Sequence, residues 1–490
     1  MTVQNADFAS RARIHANIIG GADVPAVDGR TLDVVCPSDG EVFARIARSG
    51  KADIDAAVSA ARAAFEGAWG RLTATERGRL LMKLGQAIAD NSAELARLES
   101  RDTGKPLRQG VADMVATARY FEFYGSSADK LHGDSLPFLN GYTVAVLRES
   151  HGVVGHIIPW NYPAQIFGRS IGAALACGNT SVVKPAEDAC LSVLRMAELA
   201  REVGFPDGVL NVVTGLGAEA GAILSSHPGI DFISFTGSPA TGAAIQAAAA
   251  VNNIGCTMEL GGKSPQVLFA DADIEAAAPV IVNAIVQNGG QTCSAGSRVL
   301  IERSAYTAFV NVIAERFSQV RAGGFEQDLE MGAMINAKQQ ARVEAYLARA
   351  RADGLALLAQ GMIDPRAPAG GYYVRAAMFG DVPREHPLAC EEVFGPVLAV
   401  QPFEDEADAV RLANGTPFGL VAGVWTRDAK RSMRVARAMR CGQVFVNAYG
   451  AGGGVELPFG GVKKSGHGRE KGFEGLYEFC ATKTIVVSHG

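Results

Sequence analysis

From about Ala52 to Tyr124, apolar residues recur at three- and four-residue intervals, as in IDAAVSAARAAFEGAW and GRLLMKLGQAIADNSAELARL. That spacing predicts a mainly helical segment. From Val153 the texture changes. Short apolar runs (VVGHII, TSVVK, VLNVV, DFISFT, CTMEL) alternate with stretches long enough for crossover helices. The alternation predicts βαβ units in a parallel, doubly wound sheet with right-handed crossovers. A second α/β region begins near Pro265. There PQVLF reads as a strand and DIEAAAPVIVNAIVQN as a helix with an acidic start, ending at Asn288. RVLIE, PVLAVQPF, AGVWT and QVFVN are further strand candidates. The glycine-rich NAYGAGGGVELPFGG is too short and mixed for a linker and is expected to cross an active-site surface. TKTIVVS in the tail and the segment from Gly133 to Leu147 read as strands with exposed edges, which a partner subunit can cover.

Composition narrows the function classes. At 490 residues the chain is long enough for several domains around large cores. A net charge of −5, from 46 basic and 51 acidic residues, gives no electrostatic case for nucleic acid or an anionic membrane surface. The eight cysteines are scattered without a CxxC pair, so a reduced intracellular protein is expected, with neither a disulfide scaffold nor a metal site. The start of the chain carries no apolar stretch of signal-peptide length, and no run is long enough to span a bilayer. A cytoplasmic protein follows as the expectation.

Several segments carry chemistry. In NGGQTCSAG, Cys293 lies among glycine and small polar residues that leave room for a substrate, although most cysteines are small buried hydrophobes. In MELGGKSP, Glu259 ends a strand as a general base or as an ordinary carboxylate. In PWNYP, the Asn161 amide suits a developing oxyanion or a helix N-cap equally well. FTGSPATG follows a strand and opens a helix, so Gly237 and Ser238 would offer backbone N–H groups to a pyrophosphate, though the spacing is not GxGxxG. In VVKPAE, Lys184 and Glu187 suit ribose hydroxyls or form a solvated surface pair.

Taken in order, IIPWN, GNTSVVKPAE, FTGS, MELGGKSP, GGQTC, EEVFGPV and LPFGG-VKKSG-GRE resemble the NAD(P)-dependent aldehyde dehydrogenase superfamily over nearly the whole chain. The resemblance implies an α/β, aldehyde-dehydrogenase-like fold. A Rossmann-type doubly wound cofactor domain (1–128 and 150–258) would join an α/β catalytic domain (259–464) and a small β oligomerisation arm (129–149 and 465–490). It implies Cys293 as nucleophile, Asn161 with the Cys293 N–H as oxyanion hole, and Glu259 as the base that activates water on the thioester. A Glu at this position marks the hydrolytic rather than the coenzyme-A-acylating branch. Ile157, Trp160, Lys184, Glu187, Gly237, Ser238, Glu392 and Phe394 match cofactor contacts. NAD is expected because Glu187 repels an added phosphate, with NADP still open through Lys184. Glu470 matches a carboxylate placed on a proton route or held in a structural ion pair. The partners implied are a small aldehyde and further copies of the chain, as a homodimer or homotetramer. A thiol esterase or a catalytically silent protein on the same fold are the competing readings.

The chain departs from the family pattern at three places. Gly289 replaces a Gln or acidic residue. Arg169 and Ser170 stand where relatives carry Trp and Lys, so Arg169 would face the substrate tunnel and bind a carboxylate, or else pair with a nearby acid. Small residues in YGAGGGVE would widen the tunnel, with Tyr162 and Phe167 as candidate walls.

Overall fold

The computed structural model describes residues 14–450 and 454–490. The helical region consists of Lys51–Glu66, Ala74–Asp90, Ser92–Thr103 and Leu107–Ser127. Thr73 starts the second of these with a reciprocal cap, its hydroxyl taking the Glu76 N–H while the Glu76 carboxylate takes the Thr73 N–H. The periodic run breaks at Asn91, whose backbone N–H and side-chain amide both bond the Ala87 carbonyl and so end the helix.

The alternating region forms the expected parallel sheet. Its central strands lie in the order Leu210–Val212, Thr180–Pro185, Val153–Ile158, Phe232–Thr236, Gly255–Glu259. Gly466–His467 adds an antiparallel strand at one end, and Asn17–Ile19 and Ala22–Val24 extend the other. Starting from Val153–Ile158, the chain builds outward on one side and then crosses to the other with Phe232–Thr236. The order therefore reverses between those two strands, and ligands bind at the carboxyl ends of such a switch point.

A second sheet runs Ala356–Gln360, Ala377–Gly380, Val397–Phe403, Arg298–Glu302, Pro265–Leu268, Val421–Trp425, Gln443–Val446, parallel except for its first pair. Ile281 and Ile285 of the helix Ile274–Val286 pack onto it with Val299, Val400 and Trp425. Asp273 caps that helix. The helix stops at Val286, short of the expected Asn288, because Asn288 (φ 49°) and Gly289 (φ 63°) take left-handed backbone and turn the chain sharply. A third, small sheet pairs Cys480–Ser488, Tyr142–Ser150 and Asp134–Leu136 in antiparallel register, with Cys480–Ser488 at its edge. Most of the edge strand is exposed. Among the described residues no helix is long and apolar enough to cross a membrane.

Candidate active site

Strand register brings the predicted residues together. Ile157 pairs with Lys184 on one side and Phe235 on the other, and Thr236 pairs with Glu259. These positions share the carboxyl edge of the first sheet, and Trp160–Asn161 and Gly237–Ser238 follow directly in the loops beyond it. The left-handed turn at Asn288–Gly289 then brings the Cys293 segment over from the second region.

Cys293 and Asn161 line one cavity of about 400 Å³. The Asn161 amide donates to the Gln291 carbonyl at 3.0 Å, and the Asn288 amide donates to the Asn161 carbonyl at 2.9 Å. The helix-capping alternative for Asn161 therefore falls. Tyr162 occupies the cap position, and the Asn161 amide is turned toward the cysteine segment. An amide has two N–H groups, so one remains after Gln291 is bonded. Gly262 is required for close approach, since a Cβ there would lie 2.5 Å from the Cys293 carbonyl oxygen. Burial pushes the Cys293 thiol up to about 11, with the Arg169 guanidinium opposing.

Glu259 is buried, and neither carboxylate oxygen has a hydrogen-bond partner among the described residues. Burial raises its carboxyl well above the usual range, and the neighbouring Glu470 raises it further, while Arg169 pulls it down. Such a carboxyl is a stronger base than an exposed one once ionised.

Arg169 lines the cavity, with its Nε paired to an acid and its Nη2 without a hydrogen-bond partner among the described residues. It is buried and ion-paired with Glu470, with its guanidinium 5.1 Å from the Phe459 ring centre. Of the two expectations for Arg169, pairing with a neighbouring acid is what the structure contains, and the same contact holds Glu470. A five-residue π turn, Phe167–Ile171, sets this part of the helix. Ser170 joins a buried chain, its hydroxyl 2.6 Å from His156 Nδ1 and 2.9 Å from Ser234 Oγ. Phe167 is not a cavity wall: it is buried against Phe121 at 5.8 Å between ring centres. Tyr162 does line the cavity. Ala451, Gly452 and Gly453, part of the stretch expected to widen the tunnel, lie outside the described residues.

Several cavity residues had no flag in the sequence, Gln109, Asp113 and Lys471 among them. Gln109 and Asp113 come from the helix Leu107–Ser127, and Lys471 follows Glu470. Polar residues four apart on an amphipathic helix look like a solvated face until tertiary packing covers them. Lys471 stands 5.2 Å from the Phe459 ring centre, and burial lowers its ammonium to about 8.

The cofactor candidates surround the switch point. Lys184 is buried, and its ammonium lies 3.1 Å from Glu187, so the two are not a solvated pair. Ser238 caps the helix Pro239–Ala250 by accepting from the Thr241 N–H at 3.2 Å, which puts that helix's positive end at the crevice. Glu392 accepts from the Gly262 N–H at 2.9 Å, and burial raises its carboxyl to about 7. Phe394, at φ 59°, meets Trp160 edge to face at 5.4 Å. Donors for phosphate, acceptors for sugar hydroxyls and an aromatic wall thus converge on one edge, the donor set a dinucleotide needs.

Residues 24–485 match the model of the aldehyde dehydrogenase family. Retinal dehydrogenase 2 of Homo sapiens is 41% identical over 464 residues, 94% of this chain and 89% of that protein. A Burkholderia cenocepacia chain assigned as an aldehyde dehydrogenase is 61% identical, covers 97% of this chain and 100% of its own, and has a TM-score of 0.96. The Bacillus cereus aldehyde dehydrogenase solved as an NAD+ complex is 38% identical, covers 100% of this chain and 99% of its own, and also has a TM-score of 0.96. With the family model spanning nearly all of the sequence and the fold reproduced over its whole length, the chain belongs to the aldehyde dehydrogenase family.

Proposed function

We propose that the chain oxidises an aldehyde to a carboxylic acid, with NAD as hydride acceptor, Cys293 as nucleophile, Asn161 as oxyanion donor and Glu259 as base. The observation that carries this reading is the lock between Asn161 and the cysteine segment through Gln291, which turns amide and thiol into the same cavity. As thiolate, Cys293 Sγ adds to the aldehyde carbon to give a thiohemiacetal. The remaining Asn161 N–H and the Cys293 backbone N–H hold its alkoxide oxygen. NAD, when bound, supplies the acceptor for the hydride whose loss leaves a thioester on Cys293. Glu259 takes a proton from water, which attacks the thioester, and the acid departs as Sγ is restored. Lys184 and Glu187 would hold the adenosine ribose, Gly237, Ser238 and the helix they open the pyrophosphate, and Glu392 the second ribose, with Ile157, Trp160 and Phe394 as walls. An esterase would have no use for this second set.

Glu187 favours an unmodified ribose hydroxyl, so NAD is preferred over NADP. The same reading places the cofactor domain at 1–128 and 150–258, the catalytic domain at 259–464, and an oligomerisation arm at 129–149 and 465–490. The exposed edge strand supports a homodimer or homotetramer, and eight cysteines scattered without a CxxC pair support a reducing compartment, the cytoplasm. The test is aldehyde-dependent NADH absorbance over aliphatic, aromatic, amino and carboxylated aldehydes, each with NAD and NADP. Purified protein that reduces neither cofactor with any of them overturns the proposal.

A further inference from the structure

At the cavity wall, where Asp113 lines it, lies a charged cluster that the reaction above does not use. Lys105 Nζ is 3.1 Å from Glu99 Oε1 and 2.6 Å from Asp113 Oδ2, with all three side chains buried. The second oxygen of each acid is also engaged. Ser192 Oγ donates to Glu99 at 2.6 Å, and Gln165 Nε2 donates to Asp113 at 2.7 Å. Replacing a buried ion cluster by apolar residues is often neutral or stabilising, so stability alone is a poor reason for this one. What it does provide is fixed geometry through charge-assisted hydrogen bonds.

That geometry leads to the reacting cysteine. The Lys105 ammonium sits 4.5 Å from the centre of the Tyr162 ring, which holds the ring by its face. Gln109 Nε2 donates to the Tyr162 hydroxyl at 3.3 Å, and the same hydroxyl is hydrogen-bonded to Thr292 Oγ1 at 3.0 Å. Thr292 directly precedes Cys293. Gln109 Oε1 in turn accepts from the Asn288 N–H at 3.0 Å, and Asn288 bonds Asn161. One buried cluster therefore reaches both the oxyanion donor and the nucleophile's segment.

We propose that Lys105, with Glu99 and Asp113, is a positioning cluster that acts through Tyr162 and Gln109 to fix the 288–293 segment, and so Cys293 against Asn161. Tyr162 is the positioning residue nearest the thiol, and its hydroxyl does the work through Thr292. The inference rests on the dehydrogenase reading for its kinetic consequence but not for its structural one.

The test combines two near-isosteric variants of the full chain, Tyr162→Phe and Asp113→Asn, with Lys105→Gln as a third. Single-turnover NADH formation should fall about tenfold in each, while the aldehyde KM stays within about twofold, because what is lost is alignment in the transition state. Combining Tyr162→Phe with Asp113→Asn should cost no more than the larger single effect, since both cut one relay. Hydrogen exchange read by mass spectrometry should speed up over 288–293 and stay unchanged over the rest of the helix Leu107–Ser127. An unchanged burst, effects that multiply, or exchange rising across the whole helix would each overturn the relay, the last by showing a merely structural role. If Lys105→Gln does not fold, the other two variants decide. If the wild type forms no NADH with any aldehyde, the dehydrogenase reading fails, and the exchange over 288–293 still decides the positioning claim.

Discussion

Arg169 and Glu470 form a buried ion pair, with the Arg169 guanidinium over the face of Phe459 and both Arg169 and Phe459 lining the cavity that holds Cys293. The guanidinium is committed to Glu470 and also offsets the nearby Glu259 carboxyl. That pairing favours a structural counter-ion over a substrate handle. Arg169→Ala should leave the ratio of initial rates on carboxylated and neutral aldehydes unchanged while lowering stability in denaturant unfolding by about 3–5 kcal/mol, the usual cost of orphaning a buried charge. A selective loss on carboxylated aldehydes would return Arg169 to the substrate.

Cys293 and Glu259 act at different steps and should fail differently. Cys293→Ala should abolish turnover. Glu259→Gln should retain a stoichiometric NADH burst while the steady state falls by about 10²-fold or more, since hydrolysis loses its base. Stopped-flow absorbance separates the two phases. A Glu259→Gln enzyme with an undiminished steady state would remove that role.

The pH dependence has a definite sign. Burial holds the Cys293 thiol at about 11 and the Glu259 carboxyl well above its ordinary range, so both gain their reactive, ionised forms as pH rises. Cofactor-free protein should therefore alkylate at Cys293 with a rate that climbs about tenfold per pH unit from neutral pH, as expected for a thiol far below its pKa. A plateau reached near neutral pH, followed by peptide mass spectrometry of the Cys293 fragment, would show a thiolate that the buried site does not favour.

Lys184 and Glu187 offer a check on cofactor choice. Lys184 Nζ lies 3.1 Å from Glu187, and on the proposed reading the Glu187 carboxylate repels a phosphate on the ribose it would hold. Glu187→Gln removes the repulsion and leaves Lys184 available, so the NADP-to-NAD ratio of kcat/KM should rise about tenfold, a change of about 1.4 kcal/mol. An unmoved ratio would separate this pair from cofactor selection.

The sequence was most informative where periodicity and order coincide. The five central strands of the first sheet are short, largely apolar and buried, as parallel strands require, and their carboxyl ends and the turns beyond carry Asn161, Lys184, Gly237 and Glu259. Asn17–Ile19 and Ala22–Val24 were not legible, because three-residue strands carry too little pattern to separate from loop. The early stop of the helix before Cys293 depends on left-handed backbone at Asn288, which apolar spacing does not report. Gln109, Asp113 and Lys105 were hidden for a different reason. Each is ordinary on its own helix or loop, and only the packing of Leu107–Ser127 against the loop at Tyr162 gives them a common purpose.

The edge strand Cys480–Ser488 supports the last prediction. It pairs with Tyr142–Ser150 along one side only, and Ile485, Val486 and Val487 are exposed at 41%, 53% and 51%. A three-stranded sheet with apolar residues open on both faces has little core of its own, and an unpaired edge beside them invites another chain. If copies of this chain meet there, Ile485→Lys with Val487→Lys places two charges on one face of the strand and should shift the sedimentation coefficient to that of a single chain. Far-ultraviolet circular dichroism should stay unchanged, because the two large sheets do not depend on the arm. A double variant that sediments as the wild type does would move the subunit contact elsewhere on the surface.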